Sequence, residues 1–107
     1  MRLNIYTIFD QASGVYKRPF TAQADGEVIR VFKDMALNKD HEIGAHPEDY
    51  TLWRIGTFDD NKAIVVAEDK ECLGTALEMV ASAQTVDAVK KADLEAEILE
   101  MSPGGSA

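Results

Sequence analysis

The sequence predicts an α+β domain: an antiparallel sheet of about four strands in two hairpins, a helix between them, and a helical C-terminal segment. Three observations point there. Paired runs of β-branched and aromatic residues occur twice, each pair joined by a polar turn. Apolar residues at helical spacing lie between the pairs, and the end of the chain is dense in Ala, Glu, Lys and Leu. An antiparallel sheet of this kind packs one face on helices and leaves the other free to bind.

Residues 3–10, LNIYTIFD, alternate, with Leu3, Ile5, Thr7 and Phe9 on one face and Asn4, Tyr6, Ile8 and Asp10 on the other, which predicts a strand. The turn residues DQASG follow, then VYKRPFTAQ as a second strand, so the two form an antiparallel hairpin. Pro19 has no N–H to donate, which places the second strand at a sheet edge or on a bulge. Asp25 reads as an N-cap with Glu27 in the first turn. Val28, Val31, Phe32, Met35 and Ala36 then predict a helix over about 26–38 that lies on the apolar face of the hairpin. The segment KDHEIGAHPEDY, broken by Gly44 and Pro47, reads as a loop.

TLWRIGTF is a third strand, Asp59-Asp60-Asn61 a hairpin turn, and AIVVA a short fourth strand. CLGTALEMVAS, with Leu73, Ala76, Leu77 and Val80 on one side, and TVDAVKKADLEAEILEM, with a more diffuse stripe, are both predicted helical. SPGGSA reads as a frayed tail. The chain is thus expected to be a single domain over 1–101, with a disordered tail over 102–107.

At 107 residues there is room for one core, and a hydrophobic content of 46% suits a stable fold. The net charge of -8 is concentrated in the second half: residues 1–57 carry seven Lys/Arg against eight Asp/Glu, and residues 58–107 four against eleven. Bulk attraction to nucleic acid or anionic membrane is therefore disfavoured, although a near-neutral half still permits a local cationic field. One cysteine, Cys72, excludes a disulfide framework and a multi-cysteine zinc site; it reads as a small apolar core residue in a reducing compartment. With no apolar run of membrane-spanning length and no signal-peptide pattern, a soluble intracellular protein is expected.

GVYKRPF sets a basic pair between two rings. In an extended chain Tyr16, Arg18 and Phe20 share one face, and Val15, Lys17, Pro19 and Thr21 the other. Rings that stack on bases, with Arg on phosphate, grip a single nucleic-acid strand at roughly 1–3 kcal/mol per stacked base. Arg2, Asn4 and Tyr6 on the first strand and Trp53 or Arg54 on the third would extend such a platform. The second reading turns Tyr16 and Phe20 into the core with the Arg18 stem passing them, since a shift of one residue exchanges the faces.

Asp40 to Asp49 gathers His41 and His46 among four carboxylates, a pattern that could ligate a metal if helical. Gly44 and Pro47 oppose that helix, so the segment reads as a solvated loop without a metal. No Ser or Cys has an activating context, and there is no Gly-rich phosphate loop, so no catalysis and no cofactor are expected. Asp59, Asp60, Glu68, Asp69 and Glu71 form either a solvated rim or an acidic surface for a basic partner.

Three blocks in order, LNIYTIFDQASGVYKRPF, DGEVIRVFKD and HEIGAHPEDYTLWRIGTFDD, resemble the small nonstructural protein of gokushoviruses, single-stranded DNA phages of the microvirus group. The resemblance covers about residues 2–60 and leaves a variable acidic helical extension over about 70–101. It implies a nonstructural, DNA-binding replication factor linked to single-stranded genome synthesis, acting in the host cytoplasm, and it carries no residue-level motif.

Together these readings predict a non-catalytic protein that binds single-stranded DNA, as a homo-oligomer because repetition raises affinity. Tyr6, Tyr16, Phe20 and Trp53 would stack on bases, with Arg2, Lys17, Arg18 and Arg54 on phosphates. The alternative is an acidic interaction module that recruits or blocks a host replication protein without touching DNA. No membrane partner is expected.

Overall fold

The computed structural model describes residues 1–83; the predicted second C-terminal helix and the tail lie outside the described residues. Its strands are β1 (Arg2–Asp10), β2 (Val15–Tyr16), β3 (Phe20–Ala22), β4 (Tyr50–Asp59) and β5 (Ile64–Thr75). Between β3 and β4 come α1 (Asp25–Leu37), the one-turn α2 (Glu42–Ala45) and a 3-10 turn over Pro47–Asp49. Residues 76–83 begin a further helix. The fold is α+β, and all strand pairs are antiparallel in the order β2-β1-β4-β5, with β3 also on β1.

β2 and β3 are therefore two pieces of one edge strand, interrupted where Pro19 can give nothing to the ladder. The gap is held by side-chain and main-chain bonds: Thr7 Oγ1 donates to the Lys17 carbonyl at 2.7 Å, and the Lys17 N–H to the Ile8 carbonyl at 2.8 Å. The register exposes the consequence. Phe9 faces Tyr16 and Tyr6 faces Phe20, so three steps on β1 match four on its partner. That extra residue reverses the side-chain alternation. Tyr16 and Phe20 stand on opposite faces, which corrects the expectation that Tyr16, Arg18 and Phe20 share one.

The core lies between the sheet and α1: Tyr6, Ile8, Tyr50 and Leu52 meet Val28, Phe32 and Ala36, with Ile43 and Ala76 closing the ends. The helix covers the Asn4–Tyr6–Ile8 face of β1 and leaves the more apolar Leu3–Ile5–Thr7–Phe9 face on the open side, the reverse of the sequence expectation. The reason is a polar network at the start of α1. Tyr6 donates its hydroxyl to Asp25 Oδ1 at 2.7 Å, Asn4 Nδ2 donates to the Tyr6 oxygen at 3.0 Å, and Arg54 pairs with Asp25 at 2.5 Å and also with Glu71. With its hydroxyl satisfied, Tyr6 buries its ring at little polar cost. Burial, then the bond to Asp25, push the Tyr6 pKa up. Asp25 is accordingly the first helical residue rather than the cap; Ala24 occupies the cap position without a side-chain bond.

The predicted loop holds α2, whose first turn is capped by His41: its Nδ1 accepts from the Ile43 N–H at 3.1 Å. Ile43 is buried, and Gly44 lets α2 press against the end of α1.

β5 runs well beyond the predicted AIVVA, through the residues expected to start a helix. Pairing with β4 persists across two register shifts, where Gly56 permits the Val66 carbonyl to approach closely. The helix starts only after Gly74, with φ at 148°, and is opened by a reciprocal cap: the Glu78 N–H donates to Thr75 Oγ1 at 3.1 Å and the Thr75 N–H to Glu78 Oε2 at 3.5 Å.

Candidate nucleic-acid interface on the open sheet face

Alternation along each strand decides what the sheet face left uncovered by the described residues presents. β1 contributes Leu3, Ile5, Thr7 and Phe9; β2 contributes Tyr16; β4 contributes Trp53, Ile55 and Phe58. β5 adds Val65 opposite Phe58, Cys72 opposite Trp53, and Lys70. One end of this face, with Leu3, Ile5, Phe58 and Val65, is apolar. The other is aromatic and carries a cation.

At the aromatic end the Phe9 and Tyr16 ring centroids are 4.7 Å apart. The Lys70 ammonium reaches across from β5, 4.9 Å from the centroid of Trp53 and 5.2 Å from that of Tyr16, and donates to the Tyr16 hydroxyl at 2.7 Å. Lys70 thus spans from one side of the sheet to the other and lies against two ring faces. Trp53 Nε1 is shielded from solvent and has no acceptor among the described residues.

The predicted binding residues separate. Tyr16 and Trp53 meet on the open face. Arg18 is exposed at the strand break, and Arg2 at the start of β1; neither makes an ion pair with another described residue. Lys17 turns its ammonium to the α2 side, 2.5 Å from Glu42 and 5.6 Å from the Tyr50 ring centroid. Arg54 is committed to Asp25 and Glu71 on the helix side. Tyr6 is fully buried, and Phe20 stacks on it at 5.8 Å between centroids, again on the helix side. Neither ring meets Tyr16 and Trp53: Tyr6 is placed by the alternation of β1, and Phe20 follows it because the strand break shifts the alternation after Tyr16.

Sequence reasoning missed Phe9 and Lys70. Phe9 carried its own signal in the β1 alternation, set on the face opposite Tyr6. Lys70 had none, since it sits in an acidic run beyond the predicted end of the fourth strand.

On the other flank Glu42 is held below the usual carboxylate range, first by the bond from Lys17 and then by that from Tyr50. Burial, reinforced by Glu42, pushes the Tyr50 hydroxyl up to about 12. The two histidines do not converge: His41 spends Nδ1 on the α2 cap, while His46 is exposed beside Glu48 and Asp49, their ligand atoms within 4.8 Å of one another.

The class defined by this geometry is a small α+β domain with a half-covered antiparallel sheet and an aromatic open face. The chain belongs to the Phage ORF5 protein family, which it matches over residues 3–79, and is thus a phage protein. That span passes the resembling block and takes in all of β5 with Lys70. No curated protein and no solved structure matches the chain significantly. Among the described residues no helix is long and apolar enough to cross a membrane.

Proposed function

We propose that this phage protein binds single-stranded DNA on the aromatic end of its open sheet face, in the course of viral genome replication. The observation that carries the reading is the Lys70 ammonium resting against Tyr16 and Trp53 beside Phe9. A cation on an exposed ring contributes roughly 0.5–1 kcal/mol. A stacked base contributes roughly 1–3 kcal/mol, so a base displaces the ammonium, which then meets the phosphate. Lys70 and Arg18 supply the positive charge, and Lys17 adds a third phosphate contact from the edge by leaving Glu42; Arg2 lies at the far end of β1, on the Asn4–Tyr6 side, and takes no part. The setting in single-strand synthesis comes from the resemblance of the first sixty or so residues to gokushovirus nonstructural proteins. Binding of this kind needs neither catalysis nor a cofactor, and several copies along one DNA strand raise affinity by repetition.

The test is a titration of labelled single-stranded and duplex oligonucleotides at two salt concentrations, with Trp53 emission followed in parallel. Three phosphate contacts to single-stranded DNA give a log–log salt slope of about -2. Absence of binding at low salt together with unchanged Trp53 emission refutes the proposal. It would leave the exposed acidic stretch of β5, with Glu68 and Asp69, as the surface for a basic protein partner.

A further inference from the structure

The break in the edge strand opens a cleft of about 290 Å³ on the open face, lined by Thr7, Tyr16, Lys17, Pro19, Ile55 and Lys70. We infer that this cleft is a subsite for a single nucleotide of the bound strand, base inward and phosphate on Lys70; the inference rests on the DNA-binding reading above.

Charge selects an anion. Among the described residues no carboxylate lines the cleft, although the chain carries a net charge of -8, and Lys70 has no acidic partner. Lys17 contributes its stem, its ammonium being held by Glu42. Tyr16 and Pro19 offer flat apolar surfaces, and Ile55 a further apolar one, so the lining accepts a ring rather than a hydrated ion.

Thr7 supplies the polar contact. It is 3% exposed, and its hydroxyl hydrogen is already given to the Lys17 carbonyl at 2.7 Å. No donor among the described residues reaches its oxygen, so Thr7 faces the cleft as a buried acceptor. Each of the four DNA bases carries an N–H donor on its pairing edge, whereas a sugar–phosphate unit within a strand carries none. The cleft therefore distinguishes a base from bare backbone, while the ring platform around it is tolerant of sequence.

The test uses the full chain, 3′-O-methyl-deoxycytidine 5′-monophosphate and the methyl glycoside of 3-O-methyl-deoxyribose 5-phosphate, whose sugars carry no hydroxyl donor, with Trp53 emission as the readout because Lys70 leaves the Trp53 ring when it meets phosphate. Saturable binding of the nucleotide is expected, with deoxyribose phosphate at least tenfold weaker. Thr7→Val should weaken nucleotide binding about tenfold, the cost of a lost hydrogen bond to a buried group, and Thr7→Ser should retain it. Should Thr7→Val fail to fold, as judged by thermal melting, Thr7→Ser and the two ligands still decide the matter. Equal affinity for the two ligands, or a folded Thr7→Val within twofold of wild type, overturns the inference. If an oligonucleotide binds and the mononucleotide does not, the cleft falls and the platform stands; if neither binds, both fall.

Discussion

Alanine at Gly44 and alanine at Gly26 are one substitution with opposite expected signs. A Cβ on Gly44 would lie 1.8 Å from the Asn38 carbonyl oxygen, 2.4 Å from its carbon and 2.9 Å from the Met35 oxygen. All three are backbone atoms, so no rotamer relieves the overlap. The junction of α1 and α2 must open by roughly 1.5 Å to restore ordinary contact, and this draws the adjacent Ile43, 2% exposed, partly out of the core. Overpacking alone costs roughly 1–3 kcal/mol, and partial loss of a buried Ile adds to it, so about 3 kcal/mol is expected. For a domain of this size that lowers Tm by roughly 12–24 °C. On Gly26, within α1, a Cβ meets nothing within 4 Å, and Gly26→Ala should add about 0.5–1 kcal/mol through helix propensity. Urea unfolding followed by far-UV circular dichroism and Trp53 fluorescence measures both. A Gly44→Ala protein within about 0.5 kcal/mol of wild type, inside the range of a neutral surface change, refutes the close-packing account.

Two further outcomes follow from the polar contacts. Tyr50 binds its proton more tightly folded than unfolded, with its pKa pushed up to about 12 by burial and Glu42. Its contribution is intact below about pH 10 and is lost as pH rises toward 12. Tyr6 shifts the same way. Tyr50→Phe should therefore reduce, without abolishing, the alkaline fall in urea midpoint; an unchanged slope speaks against the assignment. Arg54→Ala should cost about 1–2 kcal/mol, since a partly exposed Asp25 keeps only neutral donors, and should leave oligonucleotide affinity at the wild-type value. A loss of affinity at constant Tm would return Arg54 to the proposed DNA-binding surface.

Much of the scaffold was legible because local pattern and tertiary structure agree. The alternation of LNIYTIFD gave β1, the helical repeat from Val28 to Ala36 gave α1, and Pro19 marked an edge strand. The burial side of β1 was not legible, because it depends on Asp25, nineteen residues away, satisfying the Tyr6 hydroxyl. Nor was the length of β5. Glu68, Asp69 and Lys70 have poor strand propensity, and they extend because β4 pairs with Ala67 and Glu71 on either side. The cap formed by Thr75 and Glu78 was present as a T-x-x-E pattern and would have placed the helix start three residues beyond Cys72. Tyr16 and Trp53 belong to the candidate site through composition and strand position. Phe9 joins them through register, and Lys70 only through the fold.

The interruption at Lys17 to Pro19 bears on how the protein tolerates crowding. An uninterrupted edge strand offers a row of free N–H and C=O groups on which another molecule's strand can nucleate. Here that row is cut on one side of the sheet by a residue with no N–H. On the other, β5 is kinked by register shifts and carries Glu68, Asp69 and Glu71, which repel a second copy at close range. Two copies brought close together therefore find, among the described residues, no continuous pair of edges along which their sheets could fuse into a filament.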